Sequence, residues 1–317
     1  MKLFIANRGS TSFKYKLFDM TSGEILCAEG SSDRISLASS NWEFADRLSN
    51  VSSEGKERFK NHGEAIKFHF DMLKSNGIIE KPDEIGAIGF KAVHGGPISG
   101  AVTVDDQVIE VMEEYSDVAP SHNPPYISAM KSLKNSHPDT LQVAVFETAF
   151  HQTIPEKRQV YAIPYEWTTQ LGIRRYGFHG ASHQYIGTRL KEIDTSLKRV
   201  INCHLGGSNS ICAIENGKSV ANSFGMTVQT GIPHGVRVGD FDAFSMLKIV
   251  NAGIDQETIW QKLGKESGLL GISGVSSDLR DIEEAARDGN KRAMLAIDVL
   301  VESVRFYIGG YLTALGG

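Results

Sequence analysis

The chain has 317 residues, a formal charge of −5, and is 41% hydrophobic and 22% charged. This is the composition of a globular protein long enough for two domains, and its negative balance excludes a global field for nucleic acid, so any anion site must be local. No apolar run approaches the roughly 18 residues of a membrane span, the strand-like start Leu3-Phe4-Ile5 leaves no room for a signal peptide, and the three scattered cysteines, Cys27, Cys203 and Cys212, argue for a reducing cytoplasm rather than structural disulfides.

Strands are predicted at 2–7, 12–19 and 24–30. The first two flank a tight turn in IANRGSTSFKYKLFD, where Phe13, Tyr15 and Leu17 alternate with Lys14 and Lys16. Residues 31–64 are polar and read as a surface excursion. A helix follows at 64–75 and a buried strand at 85–93. Helices are predicted near 107–116 and 124–135, the second opened by Pro124 and Pro125, which suit a first helical turn. The apolar run LQVAVFE at 141–147 is a buried strand. The segment 148–180, with Pro155 and Pro164, reads as irregular, and a helix starts near Ser182.

RVINCHL at 199–205 is another buried strand, and Asn216-Gly217 between strand-like runs is a strong hairpin signal. From 240 onward the pattern is helical. Ala293, Ile297, Leu300, Val304, Ile308 and Tyr311 form one long apolar stripe. Strands and helices in both halves give an α/β architecture, with domains expected at 1–148 and 149–317.

The halves share a feature. Gly9-Ser10-Thr11-Ser12 can be placed over Gly207-Ser208-Asn209-Ser210, each between two strand-like runs. This suggests a duplicated α/β fold with two turns facing a cleft. Glycine lets backbone N–H groups approach a ligand, successive N–H groups form an anion nest, and serine hydroxyls and Lys14 add donors. The other reading is a solvated hairpin with an ordinary surface lysine. No GxxxxGK[ST] loop and no kinase-type glycine loop occurs.

Arg237 in GVRVGDFDAF suits two-point binding of phosphate or carboxylate, or pairs with Asp240 or Asp242. Asp278 in SSDLRDIEE opens a helix and can simply cap it. Histidines 94, 122, 151, 179 and 183 lie beside glycine or proline, or in the TAFHQT segment, and histidine is a common donor at a reacting oxyanion. His179 and His183 have zinc spacing, but the glutamate of HExxH is missing. Glu147 ends a buried strand, placed for magnesium, a strand-end cap or an ion pair.

Read together, NRGSTSFKYKLFD, VHGG, APSHNPP, VFETAFHQTIP, RRYGFHGASH, CHLGGSNS, RVGDFD and ESGLLGISGVSSDLRDI resemble the acetate kinase family. The resemblance implies a two-domain, duplicated actin-like fold of the sugar kinase, Hsc70 and actin type. It implies ATP-dependent, reversible, magnesium-assisted phosphoryl transfer to acetate or propionate, in a cytoplasmic homodimer. Residue by residue it implies catalysis by Glu147, His179 and Arg237. Substrate contact falls to Lys91, His122, Val93 and Pro233. Nucleotide and phosphate contact falls to Asn7, Ser10, Ser12, Lys14, His204, Leu205, Gly206, Gly207, Ser208, Asp278, Leu279 and Arg280, with Asn7 also on the metal side.

Three internal departures stand out. The family pattern HRVVHGG is here Phe90-Lys91-Ala92-Val93-His94-Gly95-Gly96, so the arginine becomes Lys91. VFDTAFH carries Glu147 in place of aspartate, and HLGNGSS has become HLGGSNS, with Gly207 at the asparagine position. Family members continue beyond the last residues of this chain through a strand, a GIGEN-type turn and a final helix. The implied fold is therefore C-terminally incomplete, and a catalytically impaired nucleotide-binding homologue is the alternative reading.

Overall fold

Alternation in the first hairpin sorts its side chains onto two faces. Phe13, Tyr15 and Leu17 are buried and Lys14 and Lys16 are exposed. The computed structural model describes residues 1–8, 12–120 and 122–317. They divide into two units, Met1–Ala149 and Phe150–Gly317.

The first unit is built on a sheet of β1 (Lys2–Arg8), β2 (Phe13–Asp19), β3 (Ile25–Asp33), β4 (Ser40–Asp46), β5 (Val51–Glu57), β6 (Ile85–Ala92), β7 (Ala101–Thr103) and β8 (Leu141–Phe146). Their spatial order is β5-β4-β3-β2-β1-β6-β8-β7. The β1–β5 part is an antiparallel meander, whereas β1, β6 and β8 run parallel. Parallel pairing requires crossovers, and helices supply them. They are α1 (His62–Ser75), α2 (Asp106–Glu114) and α3 (Asn123–Ser136). Asn61 Oδ1 caps α1 by accepting from Glu64 N–H at 3.0 Å, and Asp105 caps α2 through Val108 N–H at 2.9 Å. The core forms where Phe4 stacks on Tyr15 at 4.8 Å and meets Phe70 of α1 at 5.0 Å.

The surface excursion expected at 31–64 is corrected: it contains β4 and β5. On β4 only Ser40, Phe44 and Asp46 are buried, and β5 at the sheet edge is almost wholly exposed. An edge strand with little burial on either face carries no apolar alternation to read.

The second unit holds a three-stranded antiparallel sheet, β11-β10-β9, from β9 (Arg199–His204), β10 (Ser210–Glu215) and β11 (Lys218–Asn222). Asn216 and Gly217 join β10 to β11 with φ of 52° and 76°, the positive pair that a type I′ turn demands. Around the sheet lie α4 (Glu156–Gln159), α5 (Tyr165–Leu171), α6 (Gly180–Ile193), α7 (Ser245–Asn251), α8 (Gln256–Lys265), α9 (Gly268–Ser273), α10 (Leu279–Arg287) and α11 (Lys291–Ala314). The segment expected to be irregular thus contains two short helices. The apolar stripe of α11 serves two clusters. Ala293 and Ala296 pack with Leu269 and Ile282, while Tyr311 packs near Ala213, Ala221 and Leu315.

A pair of consecutive antiparallel strands recurs in both units, but not in the register expected. Superposing Gly9 on Gly207 would set Ile211 opposite Gly206. Ile211 lies opposite Cys203, because β9 and β10 close with His204 opposite Ser210, so the pairs that end the two hairpins, Arg8 with Phe13 and His204 with Ser210, differ by one residue in sequence separation.

Candidate active site

In the first unit, parallel pairing of β6 with β8 brings two chain ends side by side, with Ala92 opposite Phe146. Glu147 N–H continues the ladder to Ala92 O at 2.9 Å. This register sets Lys91 beside Glu147, with Nζ 3.1 Å from Oε1. The carboxylate is 6% exposed and the lysine about half exposed (49%). Of the alternatives for Glu147, the ion pair is observed.

Asn123 ties the start of α3 to the segment after β6. Its Nδ2 donates to His94 O at 2.8 Å and to Met112 O at 2.9 Å, and its Oδ1 accepts from His94 N–H at 3.3 Å. His122 is the N-cap of α3, next in the chain to Asn123, and Val93, next to His94, is buried. Tyr126 on α3 donates its hydroxyl to Asn7 Oδ1 at 3.2 Å. Asn7 lies opposite Lys14 across the hairpin. Both line a cavity of about 690 Å³ on the solvent face of the sheet, and Lys14 has no ion pair among the described residues. Ser12 follows the turn and is half-buried; Ser10 lies outside the described residues.

In the second unit the candidate residues converge on the turn between β9 and β10. Asn209 fastens that turn. Its Oδ1 accepts from Gly206 N–H at 2.9 Å, its Nδ2 donates to Pro233 O at 2.7 Å, and its own N–H donates to His234 Nδ1 at 2.9 Å. Gly235 N–H adds a bond to Gly207 O at 3.0 Å. Leu205, Gly206 and Gly207 are exposed, and a Cβ placed on Gly207 would meet nothing within 4 Å. The turn therefore keeps an open face suited to a phosphate.

Arg237 lies on the loop that Asn209 grips. His234 N–H donates to Arg237 O at 3.1 Å. Behind the loop, Gly268 adopts φ +60°, and a Cβ there would stand 2.1 Å from His234 O and 2.6 Å from Arg237 O. Only glycine permits that approach. The guanidinium donates Nη1 to Val228 O at 2.5 Å, and burial pushes its pKa down to about 10. The alternative of pairing with Asp240 or Asp242 is overturned, because no carboxylate pairs with Arg237 among the described residues. Asp240 accepts from Gly231 N–H at 2.9 Å and from the Tyr307 hydroxyl at 2.5 Å, while Asp242 accepts from Phe244 N–H at 2.8 Å.

His179 caps α6 in the left-handed region, φ +59°. Its ring lies 4.0 Å from that of His204 and 5.1 Å from Phe224, which stacks on His234 at 5.3 Å. His179 and Arg237 are thus linked through Phe224 and His234, and the field of Arg237 joins burial in pushing His234 down to about 3. Behind His179, Ser210 Oγ lies 2.8 Å from His179 Nδ1 and 2.8 Å from His183 Nε2. Asn209 and Ser210 were expected only as part of the turn at 207–210, and Asn202 was not expected at all; the polar run SNS after two glycines signals the first two, and nothing in the strand run RVINCHL signals Asn202.

Asp278 caps α10, its Oδ1 accepting from Arg280 N–H at 2.9 Å. It also pairs with the exposed Arg280 guanidinium, so the capping alternative is the one observed. Leu279 opens the helix beside them. A Cβ on Gly235 would stand 2.9 Å from Ser277 O, so this segment abuts the Arg237 loop.

Among the described residues, no group of three or more His, Cys, Asp or Glu could hold a metal ion. Magnesium is commonly held by one or two carboxylates together with substrate phosphates. The hard oxygens of Glu147 and Asn7 fit it on that basis.

A model of the Acetokinase family matches residues 2–317. An acetate kinase of Geobacillus sp. (strain WCH70) is 41% identical across 100% of this chain and 80% of its own length. One of Clostridium botulinum (strain 657 / Type Ba4) is 43% identical across 100% and 81%. Among solved structures, Porphyromonas gingivalis acetate kinase is 38% identical, with a TM-score of 0.85 over 100% of this chain and 80% of that one. A propionate kinase from Francisella tularensis is 32% identical, with a TM-score of 0.90 over 99% and 81%. The α/β fold expected from the sequence is theirs, and the chain belongs to the acetokinase family.

Proposed function

We propose that this chain transfers the γ-phosphoryl group of ATP to acetate, reversibly, giving acetyl phosphate and ADP. A carboxylate oxygen of acetate forms the new P–O bond as the bond to the ADP oxygen breaks. The observation that carries this reading is Arg237, a half-buried guanidinium whose charge is partly desolvated, with no carboxylate partner among the described residues, in one unit with His179. A desolvated cation of this kind calls for an anionic ligand.

Charge in the transition state is spread over the equatorial phosphoryl oxygens, so catalysis is mostly positioning and electrostatics. Arg237 offers two parallel N–H donors and His179 one. The open turn at Gly206, Gly207 and Ser208, with His204 and Leu205 leading into it, receives nucleotide phosphates, and Asn7, Ser12 and Lys14 do the same in the first unit. Asp278, Leu279 and Arg280 flank the nucleotide. In the first unit Lys91 meets the acetate carboxylate and His122 and Val93 contact acetate; in the second unit Pro233 is assigned to substrate contact. Glu147 and Asn7 would hold magnesium, which when bound would neutralise phosphate charge.

Propionate is the alternative acceptor, favoured by the likeness to the Francisella propionate kinase. One methylene changes binding by roughly 1–3 kcal/mol, so the two acids compete closely. The three free cysteines and the lack, among the described residues, of a helix able to cross a membrane support a cytoplasmic setting, and a homodimer belongs to the same reading. Incubation with acetate, ATP and magnesium, with hydroxylamine trapping the product, tests the reaction. Acyl hydroxamate should form, at a higher kcat/KM for acetate than for propionate. No hydroxamate from either acid would overturn the proposal.

A further inference from the structure

Behind His179 runs a chain of three polar side chains whose hydrogen bonds have a direction. Asn202 Nδ2 lies 2.8 Å from His183 Nδ1. An amide nitrogen can only donate, so His183 Nδ1 accepts. His183 is fully buried, and burial, joined by the fields of His151 and His204, pushes its pKa down to about 3. It is therefore neutral, and its single proton must sit on Nε2. That N–H donates to Ser210 Oγ at 2.8 Å. Ser210 is itself fully buried, and its hydroxyl has one hydrogen to give. The acceptor within reach is His179 Nδ1, 2.8 Å away.

We propose that Asn202, His183 and Ser210 form a one-way relay that fixes His179 as the neutral imidazole protonated on Nε2. The proposal rests on the reading of His179 as a donor to the transferred phosphoryl group. In the opposite tautomer, His179 Nδ1–H and His183 Nε2–H would both point at Ser210 Oγ, leaving a buried hydroxyl hydrogen without an acceptor. A second structural feature acts in the same sense. His179 caps the N-terminus of a 14-residue helix, whose positive end disfavours an imidazolium. The relay thus makes His179 a hydrogen-bond donor through Nε2 rather than a base, which is what a phosphoryl group gaining negative charge requires. Ser210, His183 and Asn202 are positioning residues in this scheme.

The test is the tautomer itself. Long-range proton–nitrogen spectra of protein labelled with nitrogen-15 histidine would be recorded for the wild-type chain, Ser210→Ala and Ser210→Thr, with His179→Gln identifying the His179 signals. The wild-type protein at neutral pH should show His179 as an Nε2–H imidazole. Ser210→Ala should move those signals toward a mixture of tautomers and lower kcat by about ten- to a hundredfold, with KM for acetate and ATP nearly unchanged. Ser210→Thr should restore both. A wild-type spectrum showing an Nδ1–H imidazole or an imidazolium overturns the relay, as does a Ser210→Ala spectrum identical to wild type. The wild-type spectrum decides the matter even if Ser210→Ala does not fold. Absence of acetyl phosphate formation overturns the proposed reaction instead, and the spectrum reads the relay independently of it.

Discussion

Lys91 Nζ and Glu147 Oε1 lie 3.1 Å apart at the adjoining ends of two parallel strands. These are the two positions where the chain departs from the arginine and aspartate of the resembled motifs. The departures are complementary. The carboxylate is one methylene longer, and the cation is a single flexible ammonium in place of a planar fork. The pair therefore behaves as one exchanged unit. Lys91→Arg alone and Glu147→Asp alone should each lower kcat/KM by about tenfold, near 1.4 kcal/mol. The double variant should return close to wild type, a coupling of about 2–3 kcal/mol, near the upper end for residues in contact. Steady-state kinetics of the four proteins measures it, and independent, multiplying losses would refute the coupling.

Arg237 presents the opposite arrangement, a half-buried cation without a carboxylate partner among the described residues. Removing it should hurt the reaction and not the fold. Arg237→Ala is expected to lower kcat by about a hundred- to a thousandfold, as loss of a preorganised donor does. Arg237→Lys should recover little, since a point charge cannot reproduce two parallel N–H bonds. The melting temperature of Arg237→Ala should equal or exceed that of the wild-type protein, because a desolvated charge has been removed. A clear fall in melting temperature with turnover intact would reverse both assignments.

The fold was legible wherever burial imposes a period. The alternation of Phe13, Tyr15 and Leu17 and the Asn216-Gly217 hairpin appear where the pattern placed them. The runs at 141–147 and 199–205, read as buried strands, are strands that stay partly in solvent, with Leu141 and Val145 exposed and no residue of Arg199–His204 fully buried. β5 was invisible because nearly all of its side chains meet solvent. The site was legible in its charged and histidine members and not in its connectors. Nothing in the sequence separates Asn209, which holds a turn through its side chain, from any loop asparagine. Nor does composition reveal that Ser210 lies between two histidines that are neighbours on α6. Those facts depend on a turn length and a strand register that local sequence does not encode.

Acid should unfold this protein through its neutral histidines. His69, His151, His183 and His234 are buried, and burial is the first cause pushing them down to about 4, 4, 3 and 3. The unfolded chain binds their protons near the ordinary histidine value, whereas the folded chain does not until the pH is far lower. Their stabilisation is therefore fully present above the unfolded pKa, about 6.5. It is lost as pH falls below that, at roughly 1.4 kcal/mol per histidine per pH unit, until the folded pKa is reached. Urea unfolding midpoints at neutral pH and at about one and two units below should fall steeply. His69 Nδ1 has no hydrogen-bond partner among the described residues. His69→Gln should flatten the slope by about one proton, and an unchanged slope would exclude His69 as a source.

Asn209 separates turn geometry from chemistry. Its side chain joins Gly206 to Pro233 while making no hydrogen bond to His179 or Arg237. Asn209→Ala removes both bonds and leaves Pro233 O, beside a buried side chain, without its donor. The expected loss is about 1–3 kcal/mol of stability. It should raise KM for ATP, because the Gly206 to Ser208 turn is no longer held against the 233–237 loop, and change KM for acetate little, because the groups assigned to the carboxylate lie chiefly in the first unit. Asn209→Asp should be intermediate. The carboxylate can still accept from Gly206 N–H, but it cannot donate to Pro233 O, and it adds negative charge where phosphate is to bind. If Asn209→Ala instead lowered kcat at unchanged KM for ATP, the turn would be acting on the transferred phosphoryl group rather than on nucleotide binding.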